Sequence, residues 1–360
     1  MRWIIFIIIY ILLDIYVFQA FKTITKQSWT YYIYLGLSLA VLANFYYQFN
    51  FTGDKGLSGA KSYAIGFLLV FFVPKLVLGI FLLGEDLVRL VVGGVSKLSH
   101  SGQDFSLPSR RKFLSQLALG AAAIPFASLL YGMYKGKYNY KVLKYTLYFD
   151  DLPEAFDGYR FTQISDIHSG SFTDHKSIQY GVDLINEQKS DVIFFTGDLV
   201  NNKAEEMDSW KSMFSKIEAR DGVFSILGNH DYGDYVDWES EEAKKANLQA
   251  LKRVHADMGW KLLLNEHRYL EKDGQKIAVV GVENWGSGGF TKQGDIEKAS
   301  EGVNKEDFKI LLSHDPSHWK EKIQKDPKNY QLTLSGHTHG MQFGIENPGW
   351  FKWSPVQYRY

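Results

Sequence analysis

Two histidines, His337 and His339, stand two residues apart in the stretch LTLSGHTHGMQFG, which covers residues 332–344. The stretch opens with a short apolar run that is typical of a β-strand. Because alternate side chains of a strand share one face, histidines at this spacing can bind one metal ion or two. The pattern therefore raises the question of where the other ligands lie.

Four further polar clusters each follow an apolar run rich in β-branched and aromatic residues, which predicts strands. Together with the first pair, the clusters supply Asp166, His168, Asp198, Asn229, His230, Asp231, His314, His337 and His339. Helical patterns near residues 176–187 and 240–258 alternate with these runs, so the sequence predicts an α/β domain. Since α/β sheets gather ligands at the ends of their strands, we expect the five clusters to meet at one edge.

The donor atoms in these clusters are oxygen and imidazole nitrogen, a mixture that suits Mn, Fe or Zn. Seven of the residues are candidate ligands, which exceeds the need of one ion; if Asp198 bridges, two ions each receive about four protein ligands. Each residue alone also fits an ordinary turn or helix cap. Their combination in this order favours a two-metal site.

Overall composition excludes several other kinds of site. The chain has 360 residues and no cysteine, so disulfides, thiolate metal sites and cysteine nucleophiles are excluded. Lys and Arg number 40 and Asp and Glu also number 40, so no global electrostatic field attracts nucleic acid. We expect no nucleic-acid partner.

The first third of the chain is of a different kind, because long apolar segments dominate it. Four of them approach or exceed the roughly 20 residues that a membrane-spanning helix needs: Trp3 to Phe21, Tyr31 to Phe49, Tyr63 to Leu83, and Phe113 to Tyr134. We therefore expect a four-helix transmembrane region over residues 1–134, with a cytoplasmic linker at about 84–112. Buried helices of a soluble domain are the alternative, but such helices normally show a polar face.

Two charges interrupt these segments. Asp14 and Lys75 fall at similar depths in the first and third spans, and buried charge in lipid is costly enough that a partner is expected. A pair between them would serve either helix packing or a transport or relay role.

A motif before the last segment resembles a twin-arginine export signal and consists of Ser109, Arg110, Arg111, Phe113 and Leu114. A plain cytoplasmic anchor of positive charge also fits. Both interpretations place the arginines in the cytoplasm and the following domain outside the inner membrane.

The ordered motifs D-x-H, G-D, G-N-H-D, H and G-H-T-H resemble those of the calcineurin-like metallophosphoesterase family, and within it a membrane-anchored bacterial branch that includes phosphodiesterases. The resemblance implies a four-layer αββα sandwich with two mixed β-sheets over residues 135–360. Relatives usually continue through further strands, so we expect this domain to be shortened at its carboxyl end. It also implies one ion on Asp166, His168 and His339, another on Asn229, His314 and His337, and Asp198 on both.

By the same resemblance, His230 is not a ligand and faces the leaving group. The neighbouring carboxylate of Asp231 is our candidate to orient its imidazole for proton donation. The expected reaction is hydrolysis of a phosphodiester, pyrophosphate or phosphomonoester by metal-activated hydroxide. A domain tethered to the membrane would meet membrane lipid, and lipid-linked phosphates, readily. A membrane sensor or transporter whose outer domain binds metal or phosphate without turnover is the alternative.

Overall fold

A computed structural model describes residues 2–52, 59–98, 108–339, 345–347 and 351–353. The chain divides into two compact units, one of residues 1–53 and 57–140 and the other mainly of residues 141–360.

The first unit is helical throughout its described length, apart from short connections. Its long helices are α1 (Arg2–Ile24), α2 (Ser28–Asn50), α3 (Gly59–Leu98) and α4 (Pro108–Tyr134). Each predicted apolar segment lies within one of them. Helix α3 continues past the end of the third segment to Leu98, so the first part of the predicted linker is helical. Residues 99–107 of that linker lie outside the described residues.

Three of these helices are long and apolar enough to cross a membrane, over Ile4–Ile24, Gly59–Val95 and Arg111–Tyr134. Helix α2 is the exception among the four. It carries tyrosines near both ends, which lower its hydropathy and are typical of residues at the two membrane interfaces. The structure thus shows an all-α apolar region, while a fourth span at α2 stays a prediction.

The two charges in these helices form a pair. Nζ of Lys75 lies 3.0 Å from Oδ1 of Asp14, and both side chains are buried. The ammonium also donates to the hydroxyls of Tyr10 at 2.9 Å and Ser38 at 2.6 Å, and Tyr34 donates to the Asp14 carboxylate. The cluster joins α1, α2 and α3 and satisfies both charges inside the helix bundle.

The second unit is an α/β domain with two four-stranded sheets, as the motif pattern predicts. The first sheet contains β1 (Phe161–Ile164), β2 (Val192–Phe195), β3 (Val223–Ser225) and β4 (Lys261–Leu262), in that order. The second contains β5 (Glu266–Lys272), β6 (Gln275–Gly281), β7 (Phe308–Leu312) and β8 (Leu332–Leu334). A hairpin of β9 (Ile345–Asn347) and β10 (Phe351–Trp353) follows.

Strand direction differs between the two sheets. Among the described residues the first sheet is parallel throughout, and in the second only the β5–β6 hairpin is antiparallel. We expected both sheets to be mixed, but only the second sheet is. The β5 edge strand was not foreseen, because its charged sequence EHRYLEK lacks the apolar run that indicates a buried strand.

Hydrophobic side chains hold the layers together. One buried cluster lies between the sheets and takes Phe194 and Phe224 from the first and Val279 and Ile310 from the second.

The remaining helices are α5 (His175–Glu187), α6 (Lys211–Phe214), α7 (Glu241–Asp257), α8 (Ile296–Ala299) and α9 (Ser317–Glu321). Because successive strand residues face opposite ways, the outer faces pack against helices, giving four layers.

Candidate metal centre

The five polar clusters meet at the carboxyl ends of strands from both sheets. Strands β1, β2 and β3 of the first sheet end just before Asp166, Asp198 and Asn229. Strands β7 and β8 of the second end just before His314 and the histidine pair. All seven predicted ligands are brought together by this arrangement, although they are spread from residue 166 to residue 339.

Three of the residues form a first group around Asp166. Nε2 of His339 lies 3.3 Å from Oδ1 of Asp166 and 3.1 Å from Nε2 of His168. Nε2 of His168 lies 3.5 Å from Oδ2 of Asp198. The donor atoms of Asp166, His168 and His339 thus face one common position, and Oδ2 of Asp198 lies beside it.

A second group surrounds the amide oxygen of Asn229. Oδ1 of Asn229 lies 2.8 Å from Nδ1 of His337 and 3.1 Å from Nε2 of His314. Nε2 of His314 lies 3.2 Å from Oδ2 of Asp198. The same carboxylate oxygen, Oδ2 of Asp198, therefore belongs to both groups.

The spacing of these donors fits divalent ions. Ligands at about 2.0–2.2 Å from an ion lie roughly 2.8–3.6 Å from each other in octahedral or tetrahedral geometry, the range seen here. Asp198, Asn229 and His314 are buried, and the other four are partly buried. Bringing carboxylate, amide and imidazole groups together in a partly buried site costs free energy unless a cation neutralises the carboxylates. The residues present accordingly fit a two-ion centre, without selecting among Mn, Fe and Zn.

Backbone strain is concentrated at the ligands. Five of the seven adopt left-handed conformations that L-residues rarely take, namely Asp166, His168, Asp198, His337 and His339, with φ between 46° and 68°. Backbone bonds hold two of these turns, since the amides of Asp166 and His168 donate to the carbonyls of Gly197 and Asp198. Strain of this kind persists only where surrounding structure imposes it, and it is typical of functional sites.

Glycine before a ligand allows the backbones to approach closely. A Cβ on Gly228 would lie 2.2 Å from Oδ1 of Asp198, and one on Gly336 would lie 2.4 Å from Oδ2 of Asp166. Both contacts are shorter than any real carbon–oxygen packing distance. The glycines of the G-N-H-D and G-H-T-H motifs are therefore required by the carboxylates beside them.

The surroundings of Asp198 fix the position and the charge of its carboxylate. Its Oδ1 accepts the backbone N–H of His230 at 2.9 Å, which leaves Oδ2 directed at the two groups. Burial opposes its ionisation, but the charge of the neighbouring His314 and its hydrogen bond hold the pKa of Asp198 below the usual range. The carboxylate is thus kept charged, as a bridging ligand must be.

Asp231 does not orient His230, contrary to the sequence expectation. Its buried carboxylate accepts the backbone N–H groups of Asp198, Leu199 and Gly228 at 2.8–2.9 Å. Burial and the charge of Asp198 raise its pKa to about 7. Asp231 instead braces the two loops that carry Asp198 and Asn229, because the short turn after Asn229 directs its side chain inward.

A backbone carbonyl orients His230. Its Nδ1 lies 2.8 Å from the carbonyl oxygen of Asn201, so Nδ1 is the donor and Nε2 is left toward the centre. Its ring packs edge-on against His168 and lies 4.4 Å from the ring of Tyr235. His230 also lies within 4.8 Å of ligand atoms of His168 and Asp198, so distance alone does not exclude a ligand role.

The imidazoles differ in charge according to their neighbours. Burial lowers the pKa of His168 to about 4, so this ring is neutral and can bind a cation. For His314, burial acts in the same direction, but the Asp198 carboxylate prevails and raises the pKa to about 9. The Nδ1 atom of His314 lies 2.7 Å from the carbonyl of Thr196, which presents Nε2 to the centre.

Some contributors gave no clear signal in the sequence. Asn201 acts through its carbonyl, which no side-chain motif reveals. The carboxylate of Glu206 accepts the backbone N–H groups of residues 201–203 and so shapes that loop.

Comparison with known families decides the assignment. The family model for calcineurin-like phosphoesterases matches residues 159–341, half of the chain, and this range contains every residue of the centre. The chain belongs to the calcineurin-like phosphoesterase family. A second model, described as a probable calcineurin-like phosphoesterase transmembrane domain, matches residues 1–137. This phosphoesterase therefore joins a hydrolase domain to a transmembrane domain.

The phosphoesterase is similar to several proteins that are named as metallophosphoesterases. A zebrafish transmembrane protein with a metallophosphoesterase domain is 29% identical over 59% of this chain and 47% of its own length. The metallophosphoesterase YkuE of Bacillus subtilis is 29% identical over 66% of this chain and 79% of its own. A metallophosphoesterase of Helicobacter pylori is 27% identical over 66% and 59%. The match thus spans about half of the zebrafish protein and more of the bacterial ones.

Proposed function

We propose that this phosphoesterase is a dinuclear-metal hydrolase that cleaves phosphodiester, pyrophosphate or phosphomonoester bonds. The observation that carries the proposal is the position of Asp198, whose Oδ2 lies 3.5 Å from Nε2 of His168 and 3.2 Å from Nε2 of His314. One carboxylate oxygen shared between two donor groups is the arrangement that a pair of bridged ions requires. Asp166, His168 and His339 would hold the first ion, and Asn229, His314 and His337 the second.

Two divalent ions, when bound, supply an acidified water as nucleophile and positive charge for the phosphoryl oxygens. The protein's own part is to place and protonate the reacting groups. His230 is the proton donor in this proposal: its Nδ1–H is engaged by the carbonyl of Asn201, so the transferable proton resides on Nε2. Donation to the leaving oxygen neutralises the charge that develops there as the ester bond breaks.

Metal analysis combined with hydrolysis assays tests this proposal. The full chain, purified in detergent, should contain close to two transition-metal ions and should hydrolyse a generic phosphodiester or phosphomonoester. Chelation should abolish turnover, and readdition of Mn²⁺ or Zn²⁺ should restore it. Two bound ions without turnover on any substrate class would contradict the proposal and favour the non-catalytic sensor or transporter.

Substrate access follows from the membrane location in the same proposal. Because α1, α3 and α4 are apolar enough to span a bilayer, the hydrolase domain stays close to lipid. Lipid-linked phosphates or pyrophosphates are then candidate substrates. Hydrolysis of a long-chain lipid pyrophosphate in mixed micelles should exceed that of its short-chain, water-soluble analogue; equal rates would contradict a lipid preference.

We also propose that the hydrolase domain lies outside the inner membrane. The cluster of positive charge at residues 110–112, at the start of the last span, supports a cytoplasmic start for α4 and an external end. Protease added to intact spheroplasts should degrade the chain after residue 135. Protection of that region until the cells are lysed would place the domain in the cytoplasm.

A further inference from the structure

Tyr235 contacts two residues of the centre from the loop that follows the G-N-H-D motif. Its hydroxyl lies 2.7 Å from Nδ2 of Asn229, and its ring lies 4.4 Å from the ring of His230. The side chain is 38% exposed, so it stands at the rim rather than in the core. No motif in the sequence draws attention to this tyrosine.

The contact matters because an asparagine side chain has two chemically different ends. Only the amide oxygen can bind a cation, whereas the NH₂ group is a donor that would repel one. Oδ1 of Asn229 faces Nδ1 of His337 and Nε2 of His314, at 2.8 and 3.1 Å. The NH₂ group must then find an acceptor on the other side, and Tyr235 provides it.

We propose that Tyr235 is a positioning residue that holds the oxygen of Asn229 toward the second metal ion. The inference rests on the two-ion function proposed above. By accepting the amide N–H, the hydroxyl opposes rotation of the amide and fixes the only neutral oxygen ligand of the set. Substitution of a residue that hydrogen-bonds to a metal ligand commonly lowers metal affinity 10- to 100-fold.

The loop that carries Tyr235 is itself restrained, so the hydroxyl is held in place before any ion binds. The backbone N–H of Tyr235 donates to Oδ1 of Asn202 at 3.1 Å. Asp234 pairs with Lys244 and accepts a hydrogen bond from Thr291, and Trp238 donates to the carbonyl of Gly233. A restrained partner orients Asn229 at little further entropic cost.

Substitution Tyr235→Phe tests the proposal, because it keeps the ring against His230 and removes only the hydroxyl. The full chain is stripped of metal in detergent and titrated with Mn²⁺, with binding followed by calorimetry and by the exchange-coupled electron paramagnetic resonance signal of a Mn²⁺ pair. We expect the weaker Mn²⁺ affinity to fall about 10- to 100-fold, the tighter one to stay unchanged, and the coupled signal to be lost at limiting metal.

Tyr232→Phe is the matched control, since it removes a hydroxyl from the same loop that contacts Glu283 and no ligand. It should leave both affinities unchanged. Wild-type affinities and a full coupled signal in Tyr235→Phe would overturn the positioning role while leaving the two-ion function intact. A wild-type chain that binds only one Mn²⁺ would instead overturn the two-ion function, and the inference with it.

A double substitution separates action through Asn229 from action elsewhere. If Tyr235 works through the amide, Tyr235→Phe should have no additional effect on Mn²⁺ binding in an Asn229→Ala background. Equal losses in the two backgrounds would show that Tyr235 acts independently of Asn229, which contradicts the proposal.

Discussion

The Nδ1 atom of His230 lies 2.8 Å from the carbonyl oxygen of Asn201, whereas the carboxylate of Asp231, the next residue, accepts three backbone N–H groups at 2.8–2.9 Å. The imidazole is therefore oriented by a neutral carbonyl and not by an acid. The carbonyl fixes the ring with Nδ1 as the donor, so Nε2 is left toward the centre.

His230→Ala should separate proton donation from metal binding. We expect near-normal metal content and a loss in kcat of about 10² to 10⁴, the usual scale for general acid catalysis. The loss should grow as the leaving group becomes more basic, because a nitrophenolate departs without a proton and an alkoxide does not. Rates across a series of aryl and alkyl esters, with metal analysis, measure this. Loss of an ion would show that His230 is a ligand, as its closeness to His168 and Asp198 allows.

Asp198→Asn should remove both activity and bound metal, because the neutral amide cannot bridge two cations. We expect less than half of the wild-type metal content and no measurable turnover, by elemental analysis and ester hydrolysis. Asp174→Asn is the matched control, since Asp174 caps α5 at the surface and asparagine also caps helices. Normal metal content in Asp198→Asn would contradict a bridging role.

Gly228→Ala should disrupt the centre through a single methyl group. The new Cβ would lie 2.2 Å from Oδ1 of Asp198, so either the bridging carboxylate or the loop must shift. We expect destabilisation by about 1–3 kcal/mol and weaker metal binding, measured by denaturant unfolding and Mn²⁺ titration. Gly120→Ala, inside α4 where nothing lies within 4 Å of the added Cβ, should leave Mn²⁺ binding unchanged and should not lower stability, because alanine favours a helix more than glycine does. Unchanged Mn²⁺ affinity in Gly228→Ala would show that the loop relaxes freely.

Lys75→Met should destabilise the helical unit, because it leaves the Asp14 carboxylate buried without its cation. Breaking a buried pair in this way costs about 3–5 kcal/mol. Thermal unfolding of the full chain in detergent should report the loss, and Asp14→Leu combined with Lys75→Met should recover most of it. The same change at Lys211, which pairs with Asp257 at the surface, should cost at most about 1 kcal/mol. A double variant less stable than Lys75→Met would indicate a role beyond pairing.

His255 should make the hydrolase domain less stable in acid. Burial against Phe195 and Trp260 lowers its pKa to about 3, below the unfolded value of about 6.5. Between these values the unfolded chain binds a proton that the folded chain does not, so stability falls as pH drops from 6.5 toward 3. The slope is at most about 1.4 kcal/mol per pH unit.

Unfolding of the metal-free chain at several pH values measures this contribution. His255→Phe should flatten the dependence between pH 6.5 and 4. The same substitution at His175, on the surface at the start of α5, should leave the slope unchanged. An identical slope for wild type and His255→Phe would show that other groups cause the acid sensitivity.

Much of this architecture was predictable from local pattern. Long apolar runs indicate helices in a membrane, because hydrocarbon leaves backbone groups no partner outside the helix. Apolar strands followed by polar clusters predicted the α/β domain and the meeting of the seven candidate ligands, because parallel strands end at a common edge. The β5 edge strand was not predicted, because it forms by pairing with β6 in a hairpin and has no apolar run of its own.

Only the tertiary structure decided which atom of each residue does what. Residue types and order identified Asp198, Asn229 and His230 as members of one site, since their chemistry is a property of the side chain alone. The shared oxygen of Asp198, the carbonyl behind His230, the bracing role of Asp231 and the contact from Tyr235 depend on distances of about 3 Å between residues up to 116 positions apart. Such distances arise from strand order and loop conformation, which local sequence does not encode.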